Sequence, residues 1–296
     1  MVVRAGLYFR MASALLDAYL TRVGLGHPGA PNLDALRQLH VAHVAAIPFE
    51  NLDILLGHGI HLGLDRVSDK LIARRRGGYC FEQNTLFLAV LRDAGFTAMP
   101  MEARVRAGSA ALRPRTHMVL VVQVEGSSWL ADVGFGGEGL LEPVPLRAAP
   151  PRASSGLAHR VVEEGDLRVL QMRREAEWTD QYAFALQPAY PVDFEVANWF
   201  TSTHPESPFV RTLTVQRTTR AVRHVLRYPA YTEIRDTGVR SREITRGELL
   251  PLLRDLFLIR LPDDTTFPVI DGAAGRARTS RQKILGRNAA RLLGLE

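Results

Sequence analysis

Apolar positions in the first third of the chain recur at helical spacing. Leu15, Leu16, Tyr19 and Leu20 share one face. In PNLDALRQLHVAHVAAIP, Leu33, Leu36 and Leu39 form a stripe between an N-cap at Asn32 and a stop at Pro48. The next stretch, FENLDILLGHGIHLGLD, has no sustained period and reads as loop, followed by a short helix over 67–74. After the pair Gly77–Gly78, residues 80–92 are periodic again, with Phe81, Leu88 and Leu91 among the apolar positions and Gly95 as a C′ stop.

The middle third changes period. FTAMPMEARVRA, THMVLVVQVEG and SSWLADVGFG are rich in strand formers, and VEGSSW reads as a hairpin turn. Further strands are predicted over 160–162, 167–173 and 178–186, with EEGD as another turn. YPVDFEVANWFTSTHPES reads as a helix entering a Ser/Thr/Pro loop. In the last third, VRTLTVQRTT and RAVRHVLRYPAYTEIRD suggest strands, GELLPLLRDLFLI a helix interrupted near Pro251, and SRQKILGRNAARLLGLE a terminal helix.

Composition changes this picture little. The chain has 296 residues, 46% hydrophobic and 23% charged, which suits a globular protein of one large domain or two to three packed ones. The formal charge of +6, carried mainly by arginine, mildly favours a phosphate-bearing or acidic ligand. Lys and Arg are spread without an aromatic platform, so a nucleic-acid surface has little support. No apolar run is long enough to span a bilayer, and the N-terminus lacks signal-peptide order. Residues 1–10 read as a start-site extension or arm. One cysteine excludes an intrachain disulfide and fits a reducing compartment, so a soluble cytoplasmic protein is expected.

That cysteine is Cys80, in ARRRGGYCFEQN. A lone cysteine is more often a small buried hydrophobe than a nucleophile. At a helix N-terminus, beside an imidazole, it becomes a useful thiolate. The two glycines before it would give a sharp turn and access. Partners are at hand: His117 opens one predicted strand and Asp132 closes the next. If the two strands pair as a hairpin, their register brings His117 to Asp132, and packing of the Cys80 helix on that sheet end completes a triad. Cysteine on a helix, then histidine and aspartate on strands, is the order of papain-like and transglutaminase-like enzymes.

Other groups compete. His40 and His43, and His58 and His61, are each three apart, a spacing seen in zinc sites. With no H-E-x-x-H and no second cysteine, all four read as loop or surface histidines and no metal is expected. VGFGGEG lacks the Lys–Ser/Thr of a phosphate loop. Its glycines instead suggest close approach of a ligand to backbone.

The separated motifs IPFENLDI, RRGGYCFEQN, RTHMVLVV, WLADVGFGG and NWFTSTHPESPF resemble, in order, those of the arylamine N-acetyltransferases, and cover most of residues 12–210. The resemblance implies an α+β fold: an N-terminal helical bundle over 1–97, a β-barrel-like domain over 98–206 and an α/β lid over 207–296. It implies a Cys80–His117–Asp132 triad with acetyl-coenzyme A as acyl donor. It places Thr116, Gly134, Phe135, Gly136 and Gly137 near the coenzyme and acyl site. Phe49, Tyr79 and Phe135 fall at pocket-lining positions, although each taken alone reads as core.

The activity so implied is xenobiotic-type N-acetylation. Acetyl passes through a thioester on Cys80 to an arylamine, arylhydroxylamine or hydrazine by a ping-pong mechanism. An amide synthase of the same fold, a cysteine hydrolase and a non-catalytic binding module are the competing readings. Oligomeric state stays open. So does the role of Arg74, Arg75 and Arg76: coenzyme phosphates, a salt bridge into the core, or plain surface.

Overall fold

The computed structural model describes residues 14–272, apart from 110, 148 and 155. The arm expected over 1–10 and the terminal helix expected over 280–296 lie outside them. The N-terminal third is helical: α1 (14–23), α2 (Leu33–Ala46), α3 (Leu52–Leu55), α4 (Leu64–Ser68), a π turn (Asp69–Ala73) and α5 (Cys80–Asp93). Asn32 caps α2 as expected, its side chain accepting from the Ala35 N–H. The apolar faces of α1, α2 and α5 merge into one core around Tyr19, Leu36, Leu39, Phe87 and Leu91.

Strands β2 (Thr97–Val105), β3 (Arg115–Val124), β4 (Ser127–Ala131), β5 (Val144–Pro145), β6 (Arg152–Ser154), β7 (Leu157–Glu164), β8 (Leu167–Arg173) and β9 (Trp178–Pro188) form one antiparallel sheet. Its order is β5-β4-β3-β2-β9-β8-β7-β6, and it curls until β5 approaches β7, giving the expected barrel-like body. One face of β2 and β3 packs on α5. The other, with Val119 and Val121, closes on Tyr182 and Phe184 inside the curl. The β3–β4 turn is the two-residue loop Glu125–Gly126, both with positive φ (50° and 72°), as a tight hairpin requires.

Helices α6 (Pro191–Thr203) and α7 (Pro208–Arg211) lead to a second antiparallel sheet, β10 (Thr214–Thr218), β11 (Arg223–Arg227), β12 (Ala230–Arg235) and β13 (Gly238–Glu243), backed by α8 (Arg246–Asp255) and the short α9 (Pro268–Asp271). Three sequence expectations need correction here. The stretch read as loop after Pro48 contains α3 and a two-residue strand, β1 (Phe49–Glu50), which pairs with β10 as the outer strand of this second sheet. The helix expected over 67–74 begins earlier, at Leu64, and continues as the π turn. Helix α8 is not interrupted at Pro251. Its start is fixed by Glu248 accepting from the Thr245 N–H, and Leu249 and Leu253 are fully buried on either side of the proline. Among the described residues no helix is long and apolar enough to cross a membrane.

Candidate active site

Cys80 is the first residue of α5, and each residue after it in that first turn is committed. Phe81 packs edge-on against Tyr79 at 5.4 Å. Glu82 accepts from the Tyr79 N–H (3.1 Å), the half of a capping box that fixes a helix start. Tyr79 cannot supply the other half, because its hydroxyl is turned to the Asn198 side chain. Gln83 donates to the carbonyls of Pro48 (2.8 Å) and Gly78 (3.1 Å), tying the helix to the loop before it. Asn84, one turn beyond Cys80, reaches Asp132.

The hairpin brings His117 and Asp132 together as its register predicts: Nε2 of His117 lies 2.7 Å from Oδ2 of Asp132. The other oxygen, Oδ1, accepts from Asn84 Nδ2 (2.9 Å) and from the Gly134 N–H (2.9 Å). Asn84 also donates to the Met118 carbonyl (2.7 Å) and accepts from the Val133 N–H (3.2 Å), so one side chain joins α5, β3 and the segment after β4. Burial opposes ionisation of Asp132, but the His117 charge and the bonds from His117, Asn84 and Gly134 outweigh it and hold the carboxyl below its ordinary range. Asn84 escaped the sequence reading, although a polar residue at i+4 from a helical cysteine shares its face.

The thiol is 4% exposed and donates to the Thr116 carbonyl at 3.8 Å. Among the described residues it makes no hydrogen bond to His117. Burial, and then the charge of Asp132, pushes the thiol well up. Two aromatic rings frame the imidazole: Tyr182 at 4.9 Å and Phe135 at 5.2 Å. The Tyr182 hydroxyl is buried, and burial together with the neighbouring Asp132 charge raises it well above its ordinary range. Nothing in the sequence marked it, since alternation along β9 predicts only an inward aromatic.

The remaining predicted residues fall around this centre. Phe49 is 7% exposed and packs on Phe209, which also meets Tyr79. The backbone after Asp132 is gripped from both sides. A Cβ on Gly134 would stand 2.8 Å from the Cys80 Cα, one on Gly136 2.2 Å from Gln216 Oε1, and one on Gly137 2.4 Å from a Val225 methyl. The Gly137 N–H donates to Gln216, and Arg223, itself buried, donates to the carbonyls of Gly137 and Gly139, each at 2.8 Å. A small cavity of about 20 Å³ lies between Asp132, Phe49, Gly136 and Gln216. A larger cleft, about 710 Å³, lies elsewhere, lined by Arg104, Arg115 and Trp178 among others.

Two readings change. Gly77 and Gly78 do not form a positive-φ turn that opens access. Their missing side chains are replaced by protein, with the Pro48 carbonyl 2.1 Å from a Cβ on Gly77 and the Glu82 carboxylate 2.7 Å from one on Gly78. His40 and His43 are fully buried rather than surface groups. His40 accepts from the Asp132 N–H (3.2 Å) and bonds the Leu141 carbonyl (2.9 Å), which requires the neutral ring; burial lowers it to about 4. His43 bridges Tyr19 and Gln83, and burial lowers it to about 3. His58 and His61 are exposed.

The arginine run also resolves. Arg74 pairs with Asp69 at the surface, Arg75 takes a positive φ of 53°, and Arg76 is largely covered and pairs with Glu50 (2.8 Å) and Asp53 (2.9 Å).

The model of the N-acetyltransferase family matches residues 32–266 of the chain. The chain is 42% identical over 198 residues to the arylamine N-acetyltransferase / N-hydroxyarylamine O-acetyltransferase of Salmonella typhimurium, covering 67% of this chain and 70% of that protein. It is 42% identical over 218 residues to the arylamine N-acetyltransferase of Mycolicibacterium smegmatis, covering 72% and 79%. Among solved structures, the M. smegmatis enzyme superposes with a TM-score of 0.81 at 37% identity, covering 89% of this chain and 99% of that one. The Mycobacterium marinum arylamine N-acetyltransferase in complex with CoA superposes with 0.80 at 33%, covering 87% and 97%.

Proposed function

The chain belongs to the arylamine N-acetyltransferase family, and from that premise we propose that Cys80, His117 and Asp132 are the catalytic residues of its reaction. The protein is an acyltransferase that uses acetyl-coenzyme A to acetylate arylamines. The observation that carries the assignment is the His117 Nε2–Asp132 Oδ2 bond of 2.7 Å, held against the start of the Cys80 helix through Asn84.

With Nε2 on Asp132, Nδ1 is the nitrogen left to exchange a proton with sulfur. In the first half-reaction the sulfur leaves the Thr116 carbonyl and gives its proton to Nδ1. The thiolate attacks the thioester carbonyl, a bond from Sγ to the acetyl carbon forms, and the bond to coenzyme sulfur breaks. The departing coenzyme thiolate takes the proton from imidazolium. In the second half-reaction the amine nitrogen attacks acetyl-Cys80, His117 accepts its proton and the Cys80 thiolate is released. Asp132 is ionised throughout and keeps the ring in the tautomer this needs.

The donor side of the site is assigned to Thr116 and the 134–137 segment, and the acceptor ring to the apolar wall of Phe49, Tyr79 and Phe135. Acceptors extend to arylhydroxylamines and hydrazines, and the cellular role is xenobiotic acetylation in the cytoplasm, without nucleic-acid or membrane partners. The three parts 1–97, 98–206 and 207–296 then supply nucleophile, His–Asp pair and lid.

Intact-protein mass spectrometry with acetyl-coenzyme A and no amine tests the mechanism. One acetyl group should appear on Cys80, be discharged by an added arylamine as acetylated amine, and be absent from Cys80→Ala. Hydrolysis as the sole fate, or full transfer by the Cys80→Ala variant, overturns it.

A further inference from the structure

At the start of α5, five charged side chains form one chain of largely buried ion pairs. Glu82 takes Lys70 Nζ at 2.7 Å, and the same Nζ reaches Asp53 at 2.8 Å. Arg76 then joins Asp53 at 2.9 Å to Glu50 at 2.8 Å. All five are at most 11% exposed at the side chain. The elements joined are the π turn (Lys70), α3 (Asp53), β1 (Glu50), the loop before Cys80 (Arg76) and α5 (Glu82). Buried charges are costly unless matched, and here Lys70 and Arg76 serve three carboxylates, with His58 3.6 Å from Asp53 at the exposed end of the chain. The terminal carboxylate, with only a share of Lys70, is Glu82.

Glu82 stands two residues from Cys80, and its second oxygen holds the Tyr79 N–H, the backbone directly before the thiol (3.1 Å). Gly78 exists as glycine to make room for that carboxylate. The pair therefore does two things at the sulfur. It anchors the turn that presents it, and it keeps a carboxylate near enough to disfavour the thiolate.

We infer that Glu82 and Lys70 are positioning residues for Cys80, fixing the backbone that carries the thiol and setting the local charge against which it ionises. The inference rests on Cys80 being the nucleophile. Other charged groups facing the sulfur are Asp132 and His117 from the barrel, and Asp132 and Glu82 both disfavour the thiolate. Facing Glu82 are Lys70, which opposes the effect of burial, and Glu50, which adds to it; the balance raises Glu82 to about 7. Glu82 ionises below the range in which the thiol does, so its charge is present there and bears on the thiol's midpoint.

The test is the rate of iodoacetamide alkylation against pH, read by mass; Cys80 is the only cysteine in the chain, so the adduct reports one site. Glu82→Gln keeps an oxygen for the Tyr79 N–H and removes the charge. Its midpoint should fall by about half a pH unit or more. Lys70→Met, which leaves Glu82 and Asp53 unscreened, should move the midpoint up by a similar amount. Adding Glu82→Gln to Lys70→Met should reverse that shift.

A Glu82→Gln profile that is unchanged or moves upward overturns the inference, whatever Lys70→Met does to folding. A change in melting temperature without a change in profile also overturns it, since that is what a purely structural ion pair would give. Alkylation needs no acyl transfer, so these outcomes stand apart from the acetyl-adduct test of the nucleophile itself.

Discussion

At the scale of single residues, the His117–Asp132 pair is held by a shell whose members can be removed one at a time. Asp132→Asn keeps the shape but places an amide against Nε2, favouring the wrong tautomer. In Ser-His-Asp enzymes that change costs about 10⁴-fold in turnover, and a loss of this order is expected here in the rate of acetyl-Cys80 formation. Asn84→Ala should be milder for chemistry and harsher for folding, because it frees the buried Met118 carbonyl and Val133 N–H and leaves Asp132 Oδ1 with the Gly134 N–H alone. Each buried group left unpaired costs about 1–3 kcal/mol, so denaturant titration should show a loss of several kcal/mol. Tyr182→Phe should be mild for folding. Its hydroxyl lies beside Asp132 and makes no hydrogen bond of ordinary length among the described residues, so removal should leave stability nearly unchanged. If the hydroxyl serves the developing charge beside His117, single-turnover acylation should slow in the same variant.

At the scale of elements, α2 carries a pH dependence that its sequence conceals. His40 and His43 are buried and neutral, with folded-state values of about 4 and 3 against 6.5 unfolded. Their lowered values mean that the unfolded chain binds protons first. The stability from keeping them neutral is complete above about pH 6.5 and is lost as pH falls toward 4, at up to about 1.4 kcal/mol per residue for each pH unit. Melting temperature should therefore drop between pH 6.5 and 4, and less steeply in a His43→Gln variant. Burial was not readable here because the three-residue spacing fits a surface as well as a core.

The elements that were legible had strong local signals. In α5 the apolar period and Gly95 agree, and the β3–β4 hairpin announces itself in VEGSSW. The elements that were missed lack such signals. Strand β1 is two residues long, and its partner β10 begins more than 160 positions later in the chain. Strand β13 is exposed along its whole length and shows no alternation to read. The site follows the same rule: Cys80, His117 and Asp132 stood out by residue type and strand position. The residues that hold them, Asn84, Glu82, Lys70 and Tyr182, acquire their roles only when distant elements meet.

At the scale of the whole molecule, the second sheet does more than cap the barrel. Its outer strand β1 forms a bridge through Phe49 to Gly78 just before Cys80, while its strands β10 and β11 send Gln216 and Arg223 to the segment after Asp132. Both ends of the site, nucleophile and His–Asp pair, are thus fastened to the same five-stranded sheet. Arg223 is the stronger of the two links, because its guanidinium is fully buried on the carbonyls of Gly137 and Gly139. Replacing it with Met keeps much of the apolar stem and deletes the donors, leaving two buried carbonyls short of partners.

A cost of about 2–5 kcal/mol is expected by denaturant titration. The more telling result is local. Phe135, which covers one side of His117, lies in the released segment. Arg223→Met should therefore speed iodoacetamide entry to Cys80 at a pH where the thiolate fraction is unchanged, and raise hydrolysis of the acetyl adduct relative to transfer to amine. Equal alkylation and hydrolysis in the folded variant and the native enzyme would show that this sheet supports the barrel without governing access to the site.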